Sequence, residues 1–222
     1  MEIIKYADFK VLHLTDGKEI LDAVKLINKG KAQGINFNFV YHFPPNIDEI
    51  KLAPDIKYIQ LNDYSWNFDY SAINLLTKME SLSIYTTDKK EINYFNFPAL
   101  KSTAIYWRPK ANSLFQCGNL EHLFIGKYNG LDLSKFEALK KLKWLRINTG
   151  SIRSLKGIEK LSQIDTLLLC QATKLEDISG IESLPKLQFV RIDNCRNIKN
   201  IHILKQLTGA TKMDICGTTP RL

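Results

Sequence analysis

A hydrophobic motif returns along this chain at a nearly constant step, and that period constrains the fold more than any other feature. The clearest copy is Leu142-x-x-Leu145-x-Ile147, followed by Ile152, Leu155, Ile158 and Leu161. The next is Ile164-x-x-Leu167-x-Leu169, followed by Leu175, Ile178, Ile181 and Leu184. A third, Leu187-x-x-Val190-x-Ile192, continues through Ile198, Ile201, Leu204 and Leu207, and a fourth opens at Ala210-x-x-Met213-x-Ile215. Read backwards, the pattern includes Leu120-x-x-Leu123-x-Ile125, Leu100-x-x-Thr103-x-Ile105, Met79-x-x-Leu82-x-Ile84 and Ile56-x-x-Ile59-x-Leu61. The middle anchors Ile59, Leu82, Thr103, Leu123, Leu145, Leu167, Val190 and Met213 lie 23, 21, 20, 22, 22, 23 and 23 residues apart. Self-similarity at this period marks a stacked-repeat architecture.

The physical reason lies in the spacing within each unit. The last two strand anchors alternate, as they must when one face of a strand points into a core. The later anchors line the inside of a returning turn or short helix. One such unit cannot bury its own apolar edge. Stacking pairs each strand with the next and fuses those edges into a continuous core.

The chain resembles the leucine-rich-repeat superfamily, and residues 141–207 are similar to the short bacterial repeats of internalin-like proteins. The resemblance covers residues 55–217 and is strongest over 119–216. It implies an α/β solenoid: a right-handed superhelix with a parallel concave sheet and an N-terminal α/β cap. The family places Asn three residues after the last strand anchor, where its amide bonds the loop backbone. Here that column reads Tyr64, Thr87, Arg108, Tyr128, Gly150, Ala172, Cys195 and Thr218, so no asparagine ladder exists.

Residues 1–54 differ from the repeats and read as a strand–helix–strand cap, with the leucine-rich repeats occupying 55–222. Residues 9–14 read as a strand, and Asp16-x-x-Glu19 as a capping box. Ile20, Leu21, Val24, Leu26 and Ile27 supply a helical apolar face that Gly30 ends. Residues 35–40 alternate as a strand. Phe37 lies 22 residues before Ile59, which places it as the middle anchor of the first strand of the same sheet. A cap of this kind covers the end of the core and shields a strand edge. At the other end Lys212, Asp214 and Pro220 blunt the last edge, which leaves either a monomer or a dimer through that strand.

The net charge of +8 is uneven. Residues 1–110 hold 14 Lys/Arg against 13 Asp/Glu, whereas 111–222 hold 17 against 10. This asymmetry points to a partner with an acidic surface. Cys117, Cys170, Cys195 and Cys216 match no zinc or redox spacing and read as reduced filler residues. No leader or membrane-length apolar run is legible, so the expected location is cytoplasmic. The Lys/Ile/Asn-rich composition suggests a bacterial source.

No catalytic motif occurs; His13, His42, His122 and His202 are scattered, and acidic pairs such as Glu176-Asp177 read as loop charges. The expectation is a non-enzyme without metal or cofactor. Binding is a different matter. Residues one before, one after and three after each middle anchor should face outward from the concave sheet. They give Phe124, Trp144, Arg146, Leu168, Phe189 and Arg191 on neighbouring strands, extended towards the N-terminus by Tyr58, Tyr85, Tyr106 and Trp107. At a strand spacing of ~4.8 Å, the first set makes a patch about 15–20 Å long. A solvated sheet face does not need such groups, and buried aromatics with arginine are what protein hot spots use. The reading is a protein-binding module of the immunity type, which neutralises a toxin. The alternatives are an effector that seizes a host protein, and nucleic-acid binding through the basic half. The last is disfavoured because the lysines fall mostly outside the concave columns.

Overall fold

The computed structural model describes residues 1–62, 69–86, 90–207 and 212–218. Two compact units make it up: Met1–Ile105 with Pro109–Leu114, and Tyr106–Arg108 with Phe115–Leu222.

In the first unit β1 (Glu2–Tyr6) runs antiparallel to β2 (Phe9–Asp16). The strands β3 (Gly34–Tyr41), β4 (Tyr58–Leu61), β5 (Ser81–Ile84) and β6 (Ser102–Tyr106) then follow in parallel. Leu12, Ile35, Ile59, Leu82 and Thr103 stand side by side in one row of this unit. Ile35, not Phe37, is therefore the partner of Ile59, and Phe37 pairs with Leu61. The expected register fails here because the connection after β3 is two residues longer than the repeat step assumed. The β1 strand was not anticipated either; its alternation is weak and four of its five residues are exposed.

The capping box forms: Asp16 accepts from the Lys18 N–H at 2.8 Å, and Glu19 accepts from the Asp16 N–H at 3.3 Å. A 3-10 turn leads from it into α1 (Ile20–Asn28). The helix buries Ile20, Ala23, Val24 and Ile27, while Leu21 faces outward. Among the described residues α1 is the one α-helix. The return segments elsewhere are 3-10 turns, such as Asp48–Leu52 and Ser71–Leu75.

In the second unit β7 (His122–Tyr128), β8 (Trp144–Gly150), β9 (Thr166–Cys170), β10 (Phe189–Asp193) and β11 (Lys212–Cys216) lie in parallel in chain order. The anchors Leu123, Leu145, Leu167 and Val190 form a fully buried row, and Ile125, Ile147, Leu169 and Ile192 form a second. Ile152, Leu155, Ile158 and Leu161 close the opposite wall of one repeat, all with no exposed surface. Each such side chain stabilises the unit by about 1.5–3 kcal/mol relative to exposure.

A left-handed residue ends every strand of this unit: Lys127, Thr149, Gln171, Asn194 and Gly217 have φ between 53° and 58°. It turns the chain inward, so that the position after it is buried in four of the five cases; Gly150, after Thr149, is half-buried. That position is where the asparagine ladder would stand. Tyr128, Ala172, Cys195 and Thr218 fill it, all buried. The Cys195 thiol lies 3.4 Å from the Leu169 carbonyl, and Thr218 Oγ1 accepts from the Cys195 N–H at 3.3 Å. Thiol and hydroxyl thus do here what the amide does in the family. Tyr64 and Thr87 of that column, like Ala210 and Pro220, lie outside the described residues. At the last strand the anchors Met213 and Ile215 are about half exposed, 49% and 47%, where their counterparts are fully buried.

Candidate protein-interaction surface

Strand alternation sorts the residues of the second unit. The anchors point inward, and the positions between them form rows on the open face of the sheet. Trp144, Thr166 and Phe189 stand side by side in one row, flanked by His122 and Lys212. Phe124, Arg146, Leu168, Arg191 and Asp214 make the next. Phe124, Trp144, Arg146, Leu168, Phe189 and Arg191 are all partly exposed. The residues one before and one after each anchor therefore face outward in this unit, and Trp144 and Phe189 are not core residues; the column three after the anchor departs from the expectation at Gly126 and Cys170, which are buried.

The two arginines differ in electrostatic state, which the sequence did not distinguish. Arg191 lies 3.5 Å from an Asp214 carboxylate oxygen and 3.9 Å from one of Asp193. Arg146 places its guanidinium 5.5 Å from the centroid of the Phe124 ring. Among the described residues no carboxylate lies within ion-pair distance of Arg146, and its Nε has no hydrogen-bond partner. Its charge is thus available beside the apolar side chains Phe124, Trp144 and Leu168, where a new opposite charge gains most.

Tyr106 extends the row differently from the expectation. Its ring lies on Gly126, where an added β-carbon would come within 2.5 Å of it. The ring packs against Phe124, centroids 6.3 Å apart, and the Lys127 ammonium sits 5.1 Å from its centroid. Glycine at 126 was readable in the sequence, but its service as a seat for Tyr106 was not. Trp107, although partly exposed, is held differently from the row. Its ring packs on Phe115 at 5.0 Å and Tyr128 at 5.8 Å, beside Phe136, so it belongs to an inner aromatic cluster. The strand has ended by Trp107, and alternation no longer dictates its direction.

In the first unit Tyr85 is half-buried, whereas Tyr58 is 3% exposed. Tyr6 and Phe9 cover the Tyr58 ring, with centroids 5.5 and 5.7 Å away. The unanticipated β1–β2 hairpin removes Tyr58 from the accessible surface. Its hydroxyl donates to Gln60, whose amide donates to Asn62, and Asn62 donates to Asn36 and Asn38. Both of these amides reach the His13 ring at 3.2 and 3.3 Å. This side-chain network links β2, β3 and β4 of the first unit.

Burial pushes the Cys117 and Cys195 thiols up to about 11, so both remain protonated near neutrality. Among the described residues no group of three or more His, Cys, Asp or Glu is placed to hold a metal ion, and no helix is long and apolar enough to cross a membrane.

No protein-family model matches the sequence, and no curated protein matches it. Solved structures do. Internalin C2 from Listeria monocytogenes is similar at 20% identity and a TM-score of 0.58, over 78% of this chain and 76% of that one. An internalin InlF from the same species is similar at 17% identity and a TM-score of 0.55, over 89% and 71%. The leucine-rich-repeat domain of the type III effector XopL is similar at 15% identity and a TM-score of 0.55, over 93% and 75%. With the parallel strands, buried anchor rows and 3-10 return segments, these likenesses identify the fold as a leucine-rich-repeat solenoid of the internalin-like kind.

Proposed function

We propose that this chain is a non-catalytic protein-binding module, and that the open face of its second unit takes an acidic, partly apolar patch on one partner protein. The observation that carries the reading is the in-register array of partly exposed Phe124, Trp144, Leu168 and Phe189 around the uncompensated Arg146. Large rigid rings and a guanidinium make strong contacts at low entropic cost once water is excluded. The excess of Lys/Arg over residues 111–222 favours an acidic partner and speeds encounter with it. Tyr106 supplies a rim contact.

Within this reading the chain is an immunity-type protein of a bacterial cytoplasm that blocks a toxin. The Lys/Ile/Asn-rich composition supports the bacterial source in that version. The alternative is an effector or adaptor, a role in keeping with the similarity to an effector domain. A toxin gene beside the gene for this chain supports the first version; secretion genes in its place support the second. The direct test isolates the partner on wild-type protein, purifies it and titrates it against Trp144→Ala/Phe189→Ala. A loss of affinity of about a hundredfold is expected. Equal affinity for wild type and double mutant overturns the reading, as does turnover of a substrate by the purified chain.

A further inference from the structure

The first unit carries a second surface, at its β1 edge. Among the described residues β1 pairs with β2 alone. Its outer backbone groups have no strand beside them, and an edge of this kind is a template for strand addition.

One face of β1 is chemically unlike the other. Ile3 pairs with Leu12, and Lys5 with Lys10, so all four lie on the core side of the sheet. Leu12 is fully buried, yet Ile3, one strand nearer the edge, is 50% exposed. A cavity of about 750 Å³ opens there, lined by Ile3 and Leu26 as apolar floor and by Lys5, Lys10 and Lys31. Asp8 is the sole acidic residue of the lining.

The lysines are the informative part. Like charges directly opposite on an antiparallel pair are destabilising. Lys5 and Lys10 form such a pair, and Lys31 adds a third positive charge from the segment after α1. Among the described residues none of the three forms an ion pair. An arrangement that disfavours the isolated hairpin is relieved by a carboxylate.

We propose that β1 is a docking edge for an extended acidic segment of another protein. The segment adds as a strand outside β1, sets an apolar side chain against Ile3 and Leu26, and two residues further on sets an aspartate or glutamate among Lys5, Lys10 and Lys31. Residues two apart share one strand face, so the pattern recognised is apolar-x-acidic. A second copy of this chain does not fit, because its own β1 edge would bring the same positive lining against this one. The site is independent of the aromatic face of the second unit.

The test uses the full chain and a short fluorescein-labelled peptide of threonine-valine-threonine-aspartate, repeated. Saturable binding is expected, read by anisotropy, weakening steeply with salt. Lys5→Glu/Lys10→Glu should weaken it about tenfold, as should lysine in place of each aspartate in the peptide. Amide hydrogen exchange over residues 2–6 should slow in the presence of the peptide. Lys31→Glu, outside the hairpin, gives the same loss if the hairpin variant fails to fold by circular dichroism. Equal binding of the lysine peptide overturns the proposal, as does unchanged affinity in Lys31→Glu. Exchange over β1 that the peptide does not slow also overturns it, as does inorganic phosphate displacing the peptide without any change in β1 exchange, which would reduce the site to a small-anion pocket.

Discussion

The Arg146 guanidinium stands over the Phe124 ring, 5.5 Å from its centroid, with no carboxylate of the described residues to meet it. Two strands along the same row, Arg191 already has Asp214 at 3.5 Å. Equal residue types in equal columns are therefore unequal as anchors. A partner carboxylate gains a new ion pair at Arg146, but at Arg191 it must compete with two aspartates. The expected outcome is a loss of at least about tenfold in partner affinity for Arg146→Ala, and a smaller loss for Arg191→Ala. Asp214→Ala should strengthen binding by releasing Arg191. Titration calorimetry with the purified partner checks all three, and a larger effect at Arg191 than at Arg146 would contradict the assignment.

Neighbouring rungs are tied by carboxylates, one just before β5 and one in the return segment after β9. Glu80 sits between Lys57 at 2.8 Å and Lys101 at 3.1 Å, and Glu176 between Lys199 at 2.5 Å and Arg153 at 2.9 Å. The hydrogen bond from Lys57 holds the Glu80 carboxyl below its usual 4.5, and that from Lys199 does the same for Glu176. Asp177 is lowered from 3.8, chiefly by the Ser179 hydroxyl. A carboxyl depressed in the folded state adds stability that is fully present above its unfolded value and is lost as pH falls through its folded one. Urea midpoints should therefore stay level from neutrality down to about pH 5 and fall progressively below about pH 4. These pairs are largely exposed, so the decline should be shallow. A midpoint that rises on acidification would contradict the sign.

Gly157 has φ of +100°, and a β-carbon there would lie 2.7 to 2.8 Å from the Leu133 carbonyl carbon and oxygen and the Ser134 nitrogen. Backbone atoms of the preceding repeat cannot yield as a flexible side chain does. Gly157→Ala should destabilise the second unit by more than about 2 kcal/mol, combining the left-handed penalty with the clash. Gly180 has φ of +96°, but its new β-carbon would meet side-chain atoms alone, the Ile158 Cγ2 methyl at 3.0 Å and Glu159 Oε2 at 3.7 Å. Gly180→Ala should therefore cost less. Thermal unfolding of the two variants side by side decides it.

The second unit was legible almost residue by residue, because its anchors repeat without insertion and each strand copies the register of the last. Leu145 beside Leu167 and Val190 follows from spacing alone. The first unit was less so. An added hairpin and a longer connection after β3 shift Phe37 by one inward position and bury Tyr58, and neither effect has a periodic signal. At the site, alternation reveals which side chains face out but not what they meet. The pairing of Arg191 with Asp214, the seating of Tyr106 on Gly126 and the inward turn of Trp107 depend on side-chain reach across strands. The asparagine column shows the same limit. Its absence was plain in the sequence, yet its replacement by the Cys195 thiol and the Thr218 hydroxyl required coordinates.

The row of left-handed residues that ends the strands contains one poor fit. Lys127, Gln171 and Asn194 tolerate positive φ at moderate cost, and Gly217 at none, but Thr149 holds a β-branched side chain at φ 58°. Its hydroxyl gives partial compensation, accepting from the Lys127 N–H at 3.2 Å and donating to its neighbour's carbonyl at 2.5 Å. Asparagine keeps an acceptor at that place and enters the left-handed region far more readily. Thr149→Asn should therefore raise the stability of the second unit by about 0.5–1 kcal/mol. In a chain of this size that corresponds to an increase in melting temperature of about 1–4 °C. Thr149→Gly should gain less, because it relieves the strain but leaves the Lys127 N–H without its acceptor. If asparagine destabilises the chain as much as Thr149→Val does, the hydroxyl contacts rather than backbone strain decide this position.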